Sequence, residues 1–496
     1  MDSLTVFAFF GLIHCLLYFI HTILTSYSII YVNKLKQLQL GIEFLRVKWF
    51  TSAFNESIKV CAKAKKQFWH LWFDVGVCVT LLFLPVSIYI LTQMTINIFN
   101  SKQIENDDKE SLSLQLMVPG FNIPINDLGY YIFTLFICST FHELGHAIAA
   151  ISEDVRLYGL GFFLAFIVPV AYVQLCNDKL LSSSKRSQLR IMCAGIWHNC
   201  VLSAVALILL SWGTSLYKPF YFTETGVSVR MMTTNSPLIG VTGLTVSDTI
   251  YKINDCSVKN DKDWSNCILS SIQKPNPQFC VSKGMLQKSV NYAYSKSSDC
   301  CDDHSKQLGH LCFDNLRHLK NDNLTEFRCL PARAIITKSS KFCSSNEECA
   351  DNENCLKPLV ENDTKIVQIK RKNKLDVLFI GYPIDISRTV LVSNWVSKFT
   401  LLSSEIPETL TLIYKYIVMF SSGLVVINLI PCFYFDGHYI VNVVVYLTFK
   451  FTLGHQKFYR ITCLTIKIIG TSLLFGNIFY MIFSNFFSPL YFNVSR

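Results

Sequence analysis

The sequence predicts a polytopic α-helical membrane protein with a re-entrant hairpin and an inserted lumenal, cysteine-rich β domain. Three observations carry that prediction. Of the 496 residues, 51% are hydrophobic and only 16% are charged, where a large soluble protein carries about 25% charged residues. The apolar residues gather in runs of membrane-spanning length. Ten cysteines lie apart from those runs, in one polar stretch between Cys256 and Cys355.

The net charge of +10 does not mark a nucleic-acid partner. Lys34, Lys36, Arg46, Lys48, Lys59, Lys63, Lys65 and Lys66 fall between the first two apolar segments, and Lys185, Arg186 and Arg190 precede a later one. Basic runs beside apolar segments are the positive-inside pattern of a protein set in a lipid bilayer. No direct contact with nucleic acid is expected.

Leu4 to Leu24 is the first spanning candidate, with no basic residue before it and several after. It reads as an uncleaved signal anchor, with cleavage near Thr25 as the alternative. Phe73 to Met94 is the second span, with a kink expected at Pro85. An acidic stretch, Glu105 to Glu110, follows, and residues 1–125 form an anchor region. Leu128 to Ala150 is the third span. Leu157 to Leu175 is apolar but broken by Gly159, Gly161 and Pro169, so a re-entrant strand pair and a span both fit. Ile191 to Trp212 is another span and completes the first half of a membrane core, residues 126–212. Leu410 to Ile430 runs into Pro431. A further apolar run to Phe449 and a final span, Ile461 to Phe483, make up the second half, residues 409–496.

Residues 213–408 form the polar insert. Ser236-Pro237-Leu238, Gly243-Leu244 and Asp248 to Asn254 alternate like short strands and turns. They predict a PDZ-like module, to which Val377 to Tyr382 adds a later strand; an unrelated small β domain is the alternative. An even, dense set of cysteines in a polar domain implies disulfides and a lumenal or extracellular location. The sequons at Asn323 and Asn362 point the same way. The alternative, a zinc cluster, lacks paired C-x-x-C knuckles.

The chemistry centres on His142-Glu143-Leu144-Gly145-His146, inside the third span. On a helix this spacing puts two imidazoles on one face with a carboxylate beside them. Ionisable groups at membrane depth are costly, and a bound Zn2+ accounts for all three. His142 and His146 would be ligands. Glu143 would take a proton from the attacking water and pass it to the leaving amine. A catalytic zinc needs a third protein ligand. Glu153 and Asp154 stand at the membrane edge, whereas Asp436 follows the helix break at Pro431 and precedes Gly437, so Asp436 is the better candidate. A helix cap is its alternative role. Asn428 would cap the same break or bind substrate backbone.

The pairing of His-Glu-x-Gly-His with Asn428-Leu429-Ile430-Pro431 and Asp436-Gly437 resembles the site-2 protease family of intramembrane metalloproteases, its animal branch above all. The segments Val118 to Asn122, Phe141 to Ala150, Gly159 to Pro169, Ala194 to Asn199 and Val426 to Gly437 carry the likeness. Where the family pattern has Leu before the Asp-Gly pair, this chain has Phe435. The resemblance implies one Zn2+ held by His142, His146 and Asp436, with Glu143 as catalytic base. It also implies a functional polar position at Asn199, as a hydrogen-bond donor to the oxyanion or a helix–helix contact like His198. The implied substrates are transmembrane helices of membrane-tethered transcription factors, such as the sterol regulatory element-binding proteins, already cut once on the lumenal side. The implied location is the Golgi or endoplasmic reticulum membrane. Rival readings are an inactive relative acting as chaperone or scaffold, a transporter, and a prenyl-protein type of intramembrane zinc protease with a Glu as third ligand.

Overall fold

The computed structural model describes residues 3–100, 124–288, 300–315, 327–339, 341–361, 363–399, 401–449 and 456–492. The two sequons, the acidic stretch and Val118 to Asn122 lie outside them. The chain divides into two units, Met1–Ser211 with Thr411–Arg496, and Trp212–Leu410.

In the first unit the apolar runs become helices. Among the described residues, six helices are long and apolar enough to cross a membrane: Ala8–Tyr27, Lys66–Ile98, Ile125–Ser152, Lys185–Tyr217, Ile406–Leu429 and Phe458–Met481. This makes the chain a multi-pass membrane protein. Lys66–Ile98 and Lys185–Tyr217 start well before the apolar runs Phe73 to Met94 and Ile191 to Trp212. The helix Lys185–Tyr217 opens with a polar turn because Arg190 finds partners on its neighbours. Its Nε and Nη2 each donate to Asp74 at 2.7 Å, and Nη1 donates to Glu153 at 2.7 Å. Arg186 adds a second hold on Asp74, also 2.7 Å. Arg190 and Glu153 are buried, so this network ties three helix ends together, and removing one partner of such a pair costs about 3–5 kcal/mol.

Leu157 to Leu175 is not a helix. It forms an antiparallel hairpin of β3 (Leu157–Ala165) and β4 (Val168–Leu175), extended on the β3 side by β2 (Arg46–Thr51) and β1 (Leu40–Glu43) in the order β1-β2-β3-β4. The sequence reading missed β1 and β2, which are short and set among the charged residues Glu43, Arg46 and Lys48. Trp49 stacks on Phe162 across the β2–β3 pair. Below the sheet, Ala147, Ala149 and Ala150 are fully buried; their small side chains let the helix Leu128–Ser152 come close to β4.

Among its described residues the second unit holds two larger antiparallel sheets and a two-stranded pair, Tyr221–Phe222 with Val396–Ser397. The six-stranded one places Val377–Gly381, Lys365–Arg371, Thr249–Ile253, Val227–Met232 and Val390–Ser393 side by side, with Cys256–Ser257 attached. Helix Asp261–Gln273 covers it, and Trp264, Cys267 and Ile268 join Val227, Ile250, Ile253, Val367 and Ile369 in one core. The other sheet has five strands, including Gln278–Ser282, His310–Asn315 and Glu353–Leu359. All ten cysteines of the insert pair: Cys256–Cys267, Cys280–Cys349, Cys300–Cys312, Cys301–Cys329 and Cys343–Cys355.

Candidate active site

The helix Leu128–Ser152 carries the motif, and 3.6 residues per turn set His142 and His146 on its buried face. Their Nε2 atoms lie 3.2 Å apart. The third group comes from the far end of the chain. Helix Ile406–Leu429 stops at the approach of Pro431, since a residue before proline disfavours the helical conformation. The chain turns through Tyr434, whose φ is +74°, and a new helix begins at Asp436, where the helix dipole favours a carboxylate. A Cβ on Gly437 would stand 2.3 Å from the Ile430 carbonyl oxygen, so only glycine lets the turn close this tightly. The outcome is Asp436 Oδ2 at 3.0 Å from His142 Nε2 and 3.2 Å from His146 Nε2.

Three donor atoms of two neutral-capable imidazoles and a carboxylate thus converge. Tetrahedral ligands at about 2.0–2.1 Å from a zinc ion stand about 3.3 Å from one another, so the donor set and its spacing suit zinc. Among the described residues, the other groups with metal-ligand chemistry are cysteines already paired in disulfides.

Helix Lys185–Tyr217 backs the site. The Ile191 carbonyl oxygen lies 2.7 Å from His146 Nδ1, and Asn199 Nδ2 lies 3.2 Å from His142 Nδ1. Between them, Gly195 leaves room for the imidazoles. A Cβ there would meet His146 Nε2 at 2.4 Å and His142 Nε2 at 2.5 Å. His198 faces elsewhere, with Nδ1 3.3 Å from the Phe141 carbonyl and its ring stacked on Phe73.

Glu143 is half-buried on the flank of the helix, near both histidines and Asp436 and close to β4. The Val173 backbone N–H lies near its carboxylate, while Ala171 N–H donates to Ser139 Oγ at 2.8 Å. The register follows from geometry. Four helical residues rise about 6 Å and two strand residues about 6.6 Å, so Ser139 and Glu143 meet alternate amides of one strand edge.

The structure therefore brings His142, His146, Asp436, Glu143 and Asn199 to one place. It sends Glu153 to Arg190 and Asp154 to Lys66. The sequence reading missed Gly195, the Ile191 carbonyl and the Val173 amide. Gly195 alone left a signal, the small pair Ala194-Gly195 one turn before a polar Asn199 in an apolar helix. The two backbone groups carry no side-chain signature at all.

Comparison with known proteins agrees with this geometry. The chain is 23% identical to a membrane-bound transcription factor site-2 protease homolog of Arabidopsis thaliana over 441 residues, covering 79% of this chain and 83% of that one. Residues 130–467 match the model of peptidase family M50, a stretch that spans most of the chain and includes every residue of the site. The chain belongs to peptidase family M50, the site-2 protease family of metalloproteases.

Proposed function

We propose that this protein is an intramembrane zinc endopeptidase that cuts transmembrane helices of membrane-tethered transcription factors after a first cut outside the bilayer. The convergence of His142, His146 and Asp436 within an apolar helical unit carries this reading. The relative's name supplies the substrate class, and the sterol regulatory element-binding proteins are the candidates that the family resemblance offers.

In this reading His142, His146 and Asp436 hold one Zn2+. The ion, when bound, supplies Lewis acidity toward the scissile carbonyl and makes water a better nucleophile at neutral pH. Glu143 is the general base. Its carboxylate stands near the Val173 amide and the histidines, from where it takes a proton from the attacking water and delivers it to the leaving nitrogen. Phe435, where the family has Leu, packs against the cluster of Leu91, Ile430, Cys432 and Leu474.

The β3–β4 pair serves as the re-entrant hairpin. Its support is the hydrogen bond from the Ala171 N–H of β4 to Ser139, with the Val173 amide near Glu143, both residues inside a spanning helix. Backbone at membrane depth needs such internal partners. We take the six-stranded sheet and its helix as the PDZ-like module. Five disulfides support placing the insert in the lumen of the Golgi or endoplasmic reticulum.

Cleavage of a membrane-tethered reporter in proteoliposomes tests the function. Wild type should release the soluble fragment, and Glu143→Gln should lower the rate about 10²–10⁴-fold. Equal rates would reject the assignment.

A further inference from the structure

One ridge of helix Lys185–Tyr217 faces both histidines. Ile191, Gly195 and Asn199 follow one another at four-residue steps, so they share a face. The Ile191 carbonyl meets Nδ1 of His146, the side-chain amide of Asn199 meets Nδ1 of His142, and Gly195 sits between, against both Nε2 atoms. Asn199 is fully buried.

The tautomers follow. Where Nε2 is the ligand atom, Nδ1 keeps its proton and must donate. For His146 the acceptor is the Ile191 carbonyl. For His142 the neighbour is the Asn199 amide, and Nδ2 toward the ring would set two donors face to face. In that orientation Asn199 Oδ1 is buried and finds no hydrogen-bond partner among the described residues. The oxygen and nitrogen of an amide are told apart only by their hydrogen bonds. Turning the amide by half a rotation removes the conflict, because Oδ1 then accepts from His142 Nδ1–H.

We infer that Asn199 is a positioning residue for His142. Its carbonyl oxygen holds the imidazole in the Nδ1–H tautomer and aims Nε2 at the site, as the Ile191 carbonyl does for His146. The role rests on the zinc reading above, and it differs from donation to the oxyanion. Its requirement is an acceptor on residue 199, not a donor. Outer partners of this kind are worth about 10–100-fold in metal affinity.

Two substitutions separate the possibilities in the purified full-length protein, with zinc affinity read by competition against a fluorescent chelator. Asn199→Leu keeps the side chain's branched shape and removes the acceptor; zinc should bind about 10–100-fold more weakly. Asn199→Asp keeps an acceptor and removes the donor; zinc should bind at least as tightly as in wild type. Wild-type affinity in both variants, with reporter cleavage lost, would overturn the inference and assign Asn199 to the oxyanion. Equal weakening in both would overturn it in favour of packing alone. Wild type that binds no zinc would overturn the metal reading itself, a result distinct from either.

Discussion

Asp436 Oδ2 lies 3.0 Å from His142 Nε2, although 294 positions separate the two residues. Neither helix holds the pair by itself. The contact needs the stop at Pro431, the tight turn at Gly437 and the bare face of Gly195. The site is therefore sensitive to residues that carry no chemistry.

Gly195→Ala follows from that sensitivity. The added methyl would lie 2.4–2.5 Å from the two Nε2 atoms, well inside van der Waals contact. Overpacking of this kind costs about 1–3 kcal/mol in stability, and the histidines are what must move. The variant should stay folded in detergent yet lose most of its bound metal and cleave the reporter at least about 10²-fold more slowly, since small misplacements at a reacting centre cost that much. Metal analysis beside a thermal melt checks it.

In the insert, Asp248 is buried and salt-bridged to Arg371 at 2.7 Å and Lys374 at 2.6 Å. Burial pushes its carboxyl up, but the bonds to Lys374 and Arg371 outweigh that and hold it below the usual range. The folded pKa thus lies under the unfolded value of about 3.9. The stabilisation is complete above that value and is lost as pH falls through the folded pKa. Asp248→Ala, which leaves Arg371 uncompensated, should cost about 3–5 kcal/mol at neutral pH. Hydrogen exchange of Thr249–Ile253 in the full chain should show wild-type protection held from pH 7 to about pH 4 and falling below it, toward a variant that starts low and changes less.

Thiol labelling checks the covalent frame. Denatured, unreduced protein should label at the free cysteines, among them Cys15, Cys61, Cys176 and Cys463, and at none of the ten in the insert. Peptide mapping should join Cys280 to Cys349. That bridge spans 69 residues, and its loss should destabilise the protein by about 2–5 kcal/mol.

A substrate helix hides its carbonyls in its own hydrogen bonds, so it must unwind to react. Asn, Gly or Pro in the substrate span weakens helix by about 0.5–3 kcal/mol each relative to Ala. Reporters carrying them should be cut faster than an all-Leu span of equal length. Equal rates would show that unwinding does not limit the reaction.

The legible parts of this molecule are those written in side chains. Apolar length announced the spanning helices, and the spacing of His142 and His146 announced their shared face. Asp436 stood out as an acid after a proline break. What stayed hidden is written in backbone. The hairpin β1–β2 is short, and Glu43, Arg46 and Lys48 break up its apolar residues. The Ile191 carbonyl and the Val173 amide act through groups that every residue owns. Helix Lys185–Tyr217 begins before its apolar run because Arg190 meets Asp74 and Glu153, partners that only the packed helices bring near. Disulfide pairing likewise depends on which strands lie side by side.

The central claim is that His142, His146 and Asp436 form one zinc centre, and metal stoichiometry tests it most directly. Zinc is measured by elemental analysis on purified wild type and on Asp436→Ala, after both have been equilibrated with the metal and freed of excess. Wild type should carry one zinc per chain and Asp436→Ala a small fraction of that, with unchanged helix content. Full zinc in the Asp436→Ala protein would contradict the account, because it would place the third ligand elsewhere.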